Sequence, residues 1–554
     1  MAPTTGTTGG FIDTQALFLE RGPPLRRENA GCAEGTPARF VKVWCMVLRV
    51  RSRLVAPVLA AGLALLVVLT GAQGVDWAAA TYRVELFARS GLTVWDSQWY
   101  GGHWTFDYSV LFAPVGWIAG IPVMDVVCVA LAAWAFDRLA VGRFGRAGRV
   151  GAIVFAVGTV VQVAIGQEPY LLGETVALLS LLAARQGAWP LALALASAAS
   201  LASPLAGGFL AMAAFAWALG SWPRRRYGVW AVAAAAIVPV VVIEVLFPGL
   251  GPAPFAPLNF LGMTVALALL GIVVVLRRDR TLSLGVLLYA LACIVAFAIP
   301  SALGANVTRL GISFGVALVA ILAWDGRRGR ALLVAAAVPL ALAQWVPARQ
   351  ALLGEGNASM QTAYYRPLLR FLGSADRPLG RVEVVPTAFH TEAAFVAPSF
   401  PLARGWERQL DTAENKLFYE RGRLTDASYR AWLVANGVRF VALPDVALDY
   451  AAKVEGRLVR AGVPGLVPVW RSAHWRVFRV AGAPGLISGP ARLVSSSGAE
   501  VRLTAIHAGV IVVRERYVNA WHIARGAAVL GEARGGWLRI SARRAGPVEL
   551  RVGL

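Results

Sequence analysis

Lysine is nearly missing from these 554 residues: only Lys42, Lys416 and Lys453 occur, so the formal charge of +22 is an excess of arginine. Basic patches interleaved with stacking aromatics are missing too, which removes the usual surface of a nucleic-acid binder, and nucleic acid is not an expected partner. Cysteine is scarce. Cys128 and Cys293 sit in apolar runs while Cys32 and Cys45 precede the first such run, so neither a disulfide framework nor a Cys-x-x-Cys pair is present. No two of the five histidines are spaced as metal ligands. A GxSxG elbow, a P-loop and a Rossmann fingerprint are also lacking, which takes away the usual support for hydrolase and ATPase readings.

Long apolar runs are what the chain has instead, in keeping with 57% hydrophobic residues. Leu54 to Val75 carries no charge over a length that crosses a bilayer core of about 30 Å. Further runs fall at about 110 to 136, 150 to 166, 170 to 185, 188 to 204, 205 to 221, 229 to 247, 258 to 276, 283 to 300, 310 to 324 and 331 to 347. The expectation is an α-helical multi-pass membrane protein with about eleven crossings. Residues 1 to 45 are rich in Gly, Thr, Pro and Arg without periodicity, and Met46 opens a basic flank before the first run. That segment is expected to be disordered or to precede the true start.

Arginine sorts the connections. Fourteen arginines fall at 137 to 149, Arg185, 223 to 228, 277 to 280 and 325 to 330, against Arg83, Arg89 and Arg309 on the alternate set. By the positive-inside rule the arginine-rich loops are cytoplasmic. The loop 76–109 and everything after Pro347 are then extracytoplasmic, in a plasma membrane. Residues 348–484 mix helix patterns with short strands and read as an α/β domain, while 485–554 alternates as a small antiparallel β unit. Residues 46–347 form the transmembrane domain.

Chemistry is therefore expected on the outer face. Loop 76–109 is longer than a simple connection requires and holds Asp76, Asp96, Asp107 and His103. Asp76 either caps an interfacial amphipathic helix beginning at Trp77 or acts as a carboxylate. In "WDSQWYGGH", Trp99 and Tyr100 beside Asp96 suit either a headgroup-level aromatic belt or a sugar site, where rings stack on C–H faces and acids accept from hydroxyls. His103 is a satisfied polar residue or a ligand contact, and Asp107 a second acid or a cap. Glu168 and Glu174 lie on or just inside the next outer turn, where an acid either pins helices or serves function. Arg309 either snorkels to the interface or binds a phosphate arriving on a lipid.

A membrane helix, an acid at its exit, an interfacial helix, then "SGLTVWDSQWYGG" and the next crossing: this order resembles the GT-C superfamily of membrane glycosyltransferases. "WDSQWY" is also similar to the WD-x-x-WY element of the mannosyltransferases of glycolipid-anchor synthesis. The resemblance covers the layout of 54–347 and the outer C-terminal domain. It implies a hexosyl- or pentosyltransferase that takes a sugar from a polyprenyl-phosphate carrier and gives it, with inversion, to a cell-envelope glycan, lipid or protein acceptor. On this resemblance Asp76 is the catalytic carboxylate and Arg309 binds the carrier phosphate. Members of the family often show two acids together in this loop; here Asp76 stands alone, and Asp96 or Asp107 supplies the second, or Asp96 is itself the base. Trp99, Tyr100, His103, Asp107 and Glu168 are expected around the substrate. No cofactor is implied, and a divalent metal is left open. A transporter or flippase, or a non-catalytic scaffold for envelope glycolipids, is the competing class.

Overall fold

The structure, a computed structural model, describes residues 38–221, 227–249, 251–354, 356–374 and 380–553. Met1–Ser52 and Arg53–Leu554 are separate units. Residues 38–52 are helical, and the expectation for residues 1 to 45 falls, up to residue 37, outside the described residues. The larger unit carries everything below.

Its first half is helical. The apolar helix Leu54–Thr70 (α1) leads to α2 (Trp77–Ser90), then α3 (Phe112–Ala119), α4 (Ile121–Phe144), α5 (Arg146–Ile165), α6 (Glu168–Arg185), α7 (Trp189–Ala202), α8 (Pro204–Gly220), α9 (Tyr227–Leu246), α10 (Pro257–Leu276), α11 (Arg280–Ala298), α12 (Arg309–Asp325) and α13 (Arg330–Leu353). Among the described residues six helical segments are long and apolar enough to cross a membrane: α5, α9, α10, α11, α12 with the 3-10 turn Gly304–Thr308 before it, and α13. The pair α3 and α4, bent by 108° about Gly120, makes a seventh if it is one span. This is fewer than the eleven expected. Helices α1, α7 and α8 are apolar but shorter, and the last two are cut short where Ser203 and Pro204 force the backbone out of helical geometry between them.

Small residues let these helices approach closely. Ala60, Ala64, Ala132, Ala133, Ala152 and Ala156 are fully buried where helices meet, as packing without a water-driven hydrophobic force requires. Large side chains such as Leu69, Ile118, Val245 and Leu258 point outward. In water such a surface would be an aggregation liability; in hydrocarbon it costs nothing.

The second half combines strands with short helices. A mixed four-stranded sheet runs in the order β3 (Arg381–Val384), β4 (Val438–Pro444), β6 (Trp475–Val480), β5 (Leu466–Arg471), with β1 (Trp95–Asp96) and β2 (His103–Trp104) preceding it in the chain. Only the β3 and β4 pair is parallel. Helices α14 (Thr362–Ser374), α15 (Glu392–Phe395), α16 (Arg408–Glu414), α17 (Asp426–Ala435) and α18 (Lys453–Ala461) accompany it. Eight more strands follow: β7 (Ile487–Ser488), β8 (Ala491–Ser497), β9 (Glu500–Ala505), β10 (Gly509–Arg516), β11 (Trp521–Arg525), β12 (Ala528–Ala533), β13 (Trp537–Ala542) and β14 (Gly546–Val552). They make two antiparallel sheets, β12-β13-β10-β7 and β11-β14-β9-β8. Alternate residues such as Val501, Leu503, Ile511, Ile540 and Leu550 turn inward from both sheets into one core, the arrangement of a β-sandwich.

Candidate functional site

The loop 76–109 is a fastening rather than a free surface. Strands β1 and β2 pair Trp95 with Trp104 and Asp96 with His103, and the turn between them runs through Tyr100, Gly101 and Gly102, all at positive φ. A tyrosine there costs about 1 kcal/mol or more, so something must hold it. Its hydroxyl accepts from the Glu407 N–H at 3.1 Å and donates to the Glu407 carbonyl at 3.3 Å. The same loop binds the sandwich: the Ser97 hydroxyl donates to the Gly498 carbonyl at 2.7 Å, and the Arg516 N–H donates to the Gly101 carbonyl at 2.7 Å. It also binds the α/β layer, where the Leu402 N–H donates to the Gln98 carbonyl.

Four of the expected site residues lie inside this junction. Trp99 is fully buried, stacked on Tyr82 with ring centroids 4.3 Å apart and on His103 at 5.4 Å. Asp96 is fully buried as well; its carboxylate accepts from the Tyr82 hydroxyl at 2.7 Å and from the Gln98 N–H at 3.2 Å. Burial pushes its carboxyl up to about 6 against those two donors. Burial and the nearby Arg83 hold the His103 imidazole down at about 3, so it is neutral. Asp96, Trp99, Tyr100 and His103 thus support the junction, apart from the cavity that Arg309 lines.

A second group does. Asp76 takes the N-cap position of α2, but its side chain makes no capping hydrogen bond. It turns instead to Arg309, with Nη2 and Oδ2 3.6 Å apart. Backbone contacts explain the placement: the Asp76 N–H donates to the Ile165 carbonyl, and Gly74 and Gly166 lie so close to the neighbouring backbone that neither has room for a Cβ. Arg309 opens α12, and its guanidinium lies 5.6 Å from the centre of the Tyr170 ring.

Arg309, Tyr170 and Asp107 share one cavity of about 390 Å³, walled by α8, α9 and α11 and edged by Glu244, Asn306 and Gln409. Asp107 is only 6% exposed, and its Oδ1 has no hydrogen-bond partner among the described residues. Burial pushes its carboxyl up to about 7, with Arg83 opposing. Two turns along α2 from Asp76, Arg83 is buried over the Tyr108 ring at 3.9 Å and pairs with Glu407, just before α16. The sequence alone does not single out Arg83, Tyr108 or Gln409, although Arg83 is one of three arginines on the connections expected to be extracytoplasmic.

Glu168 opens α6, 1% exposed and with Oε2 unpartnered among the described residues, beside Pro169 and Tyr170 of the cavity wall. Glu174 ties helices together: it accepts from Gln162 of α5 at 2.9 Å and from Ser313 of α12 at 2.7 Å. Among the described residues no three His, Cys, Asp or Glu side chains converge as a metal site needs. No family model matches the chain, and no curated protein matches it.

Proposed function

We propose that this chain is an integral membrane glycosyltransferase that moves a sugar from a polyprenyl-phosphate carrier to an extracytoplasmic glycan, lipid or protein acceptor, inverting the anomeric centre. In this reading the shorter helices α1, α7 and α8, and α6 with its charged residues, also cross a plasma membrane, for about eleven crossings, and the sheets lie outside. The observation that carries it is the presence, in one cavity at the end of apolar helices, of a cation and a buried carboxylate with one oxygen unpartnered among the described residues: Arg309 and Asp107.

Those two groups suit the chemistry. The acceptor oxygen attacks the anomeric carbon from the face opposite the phosphate, its proton passes to a carboxylate, and the bond from carbon to phosphate oxygen breaks. The leaving phosphate is a weak base and needs only a positive group at its developing charge, the role of Arg309. A base works best with a pKa near the operating pH, which favours Asp107 at about 7. Asp76 then orients Arg309 through their ion pair, and Asp96, with both oxygens engaged, holds the junction.

The direct test is transfer from a panel of radiolabelled polyprenyl-phosphate sugars in membranes with and without the chain. Label appearing in product only when the chain is present supports the reading. No transfer from any donor by folded, membrane-inserted protein would sink it.

A further inference from the structure

A second cavity, of about 360 Å³, lies deeper in the helical half, ringed by α4, α6, α8, α11 and α12. It meets the first at Tyr170 and Phe209, which line both. From there it follows α12 from Leu310 to Ile321 and α6 from Tyr170 to Leu181. Eleven residues of helix rise about 16 Å. At its far end Arg143 bonds Asp279 at 2.8 Å, joining the end of α4 to the start of α11. Its walls are leucine, alanine, phenylalanine and Ile321, with Tyr170 and Glu174 toward one end and Arg143 at the other.

An apolar void of this size does not stay empty in a bilayer. Its wall atoms lack dispersion partners on one side, water finds too few polar groups there to hydrogen-bond, and the solvent at hand is hydrocarbon. At roughly 30 Å³ per water-sized group, the space takes about a dozen methylenes in a column. That is the size of one acyl chain, and a polyprenyl carrier is several times longer. The carrier fits the first cavity better, since that one is flanked by α9 and α11, whose outward faces meet lipid at Val245 and Leu291.

We propose that the deep cavity holds one acyl chain of the acceptor, a membrane lipid with a hydroxyl-bearing head group, which it suspends with that hydroxyl at Asp107. The inference rests on the glycosyltransferase reading for the word acceptor; the lipid site itself does not. Asp107 accepts a proton from a hydroxyl, so head-group chemistry decides which lipid stays.

The experiment uses the full chain in nanodiscs of choline-headed phospholipid, doped with one of three photoactivatable probes bearing a diazirine at the chain end. These are a glycerol-headed phospholipid, a choline-headed phospholipid and a polyprenyl phosphate. Cross-links from the glycerol-headed probe to Leu318 and Ile321, at several times the level of the choline-headed probe, are expected. Ala213→Trp or Ala177→Phe fills the column and should remove those cross-links while leaving outward Leu258 labelled. Equal labelling by both phospholipids makes the occupant an ordinary bilayer lipid, and preferential labelling of Ile321 by the prenyl probe hands the cavity to the carrier. Either result, or no labelling of these residues by any probe, overturns the proposal. Labelling as expected without any sugar transfer would leave the lipid site standing and count against the transferase instead.

Discussion

Replacing Asp107 by asparagine should make the protein more stable and less active at once. Asp107 is 6% exposed and its carboxyl sits at about 7 because burial disfavours the charged form. An aspartate in the unfolded chain titrates near 3.9. A raised folded-state pKa means that stability is fully present below about pH 4 and is lost as pH rises through about 7. The shift of about three pKa units corresponds to about 4 kcal/mol above pH 8. Asparagine keeps the shape and does not ionise, so the variant should gain much of that amount at pH 8 and nothing at pH 4. Thermal unfolding of the purified full chain in detergent across this range measures it. In the transfer assay the wild-type rate should climb about tenfold from pH 6 to its plateau, as a base of pKa near 7 requires. The rate of the Asp107→Asn variant should fall by roughly a hundredfold or more and lose that climb. A variant no more stable than wild type at pH 8 would refute the burial argument, and an unchanged pH profile would refute the base.

Arg309→Lys and Arg309→Ala should show a graded loss of transfer, Ala worse, because lysine keeps charge without the guanidinium fork; removing such a stabilising donor costs about 3 kcal/mol, on the order of a hundredfold in rate. Equal activity of both variants and wild type would return Arg309 to a purely interfacial role. Gly101→Ala puts a Cβ 2.9 Å from Trp537 and 3.0 Å from Arg381 at φ 79°, and should loosen the second half of the chain by about 1–2 kcal/mol or more, read as faster proteolysis between residues 348 and 554. Single cysteines at the exposed positions Ser90 and Ala427 should react with an impermeant thiol reagent in intact cells while one at Arg327 should not; the opposite pattern inverts the topology.

Period and composition made much of the architecture legible. The uncharged runs become helices because apolar side chains at every position suit a surrounding of lipid and helix alike, and the alternation in "EVRLTA" becomes β9 with Val501, Leu503 and Ala505 inward. Span count was less legible. A hydropathy run records how apolar a segment is, while a break such as Ser203 and Pro204 decides how long its helix can be. In the site, Asp76 and Arg309 were picked for separate reasons and stand as an ion pair. For "WDSQWYGGH" the residue types alone were ambiguous. Rings and acids serve a sugar or a buried junction equally well, and only partners more than 300 residues away, such as Glu407 and Gly498, distinguish the two.

Those distant partners also explain why the cavity has a roof from the second half of the chain. The hairpin binds α2 through Asp96 and Tyr82, the α/β layer through Tyr100 and Glu407, and the sandwich through Ser97 and Gly498. Arg83 reaches across from α2 to the same Glu407. Residues 406–409 are thereby clamped at two points, and Gln409, two positions beyond Glu407, lines the cavity beside Arg309. A loosely tethered module could not place a side chain there with such constraint, because a site held within about 0.5 Å needs packed and hydrogen-bonded support behind it. The buried polar groups of the loop 76–109 therefore act through position: they join the roof to the helices from which Arg309 and Tyr170 enter the same space.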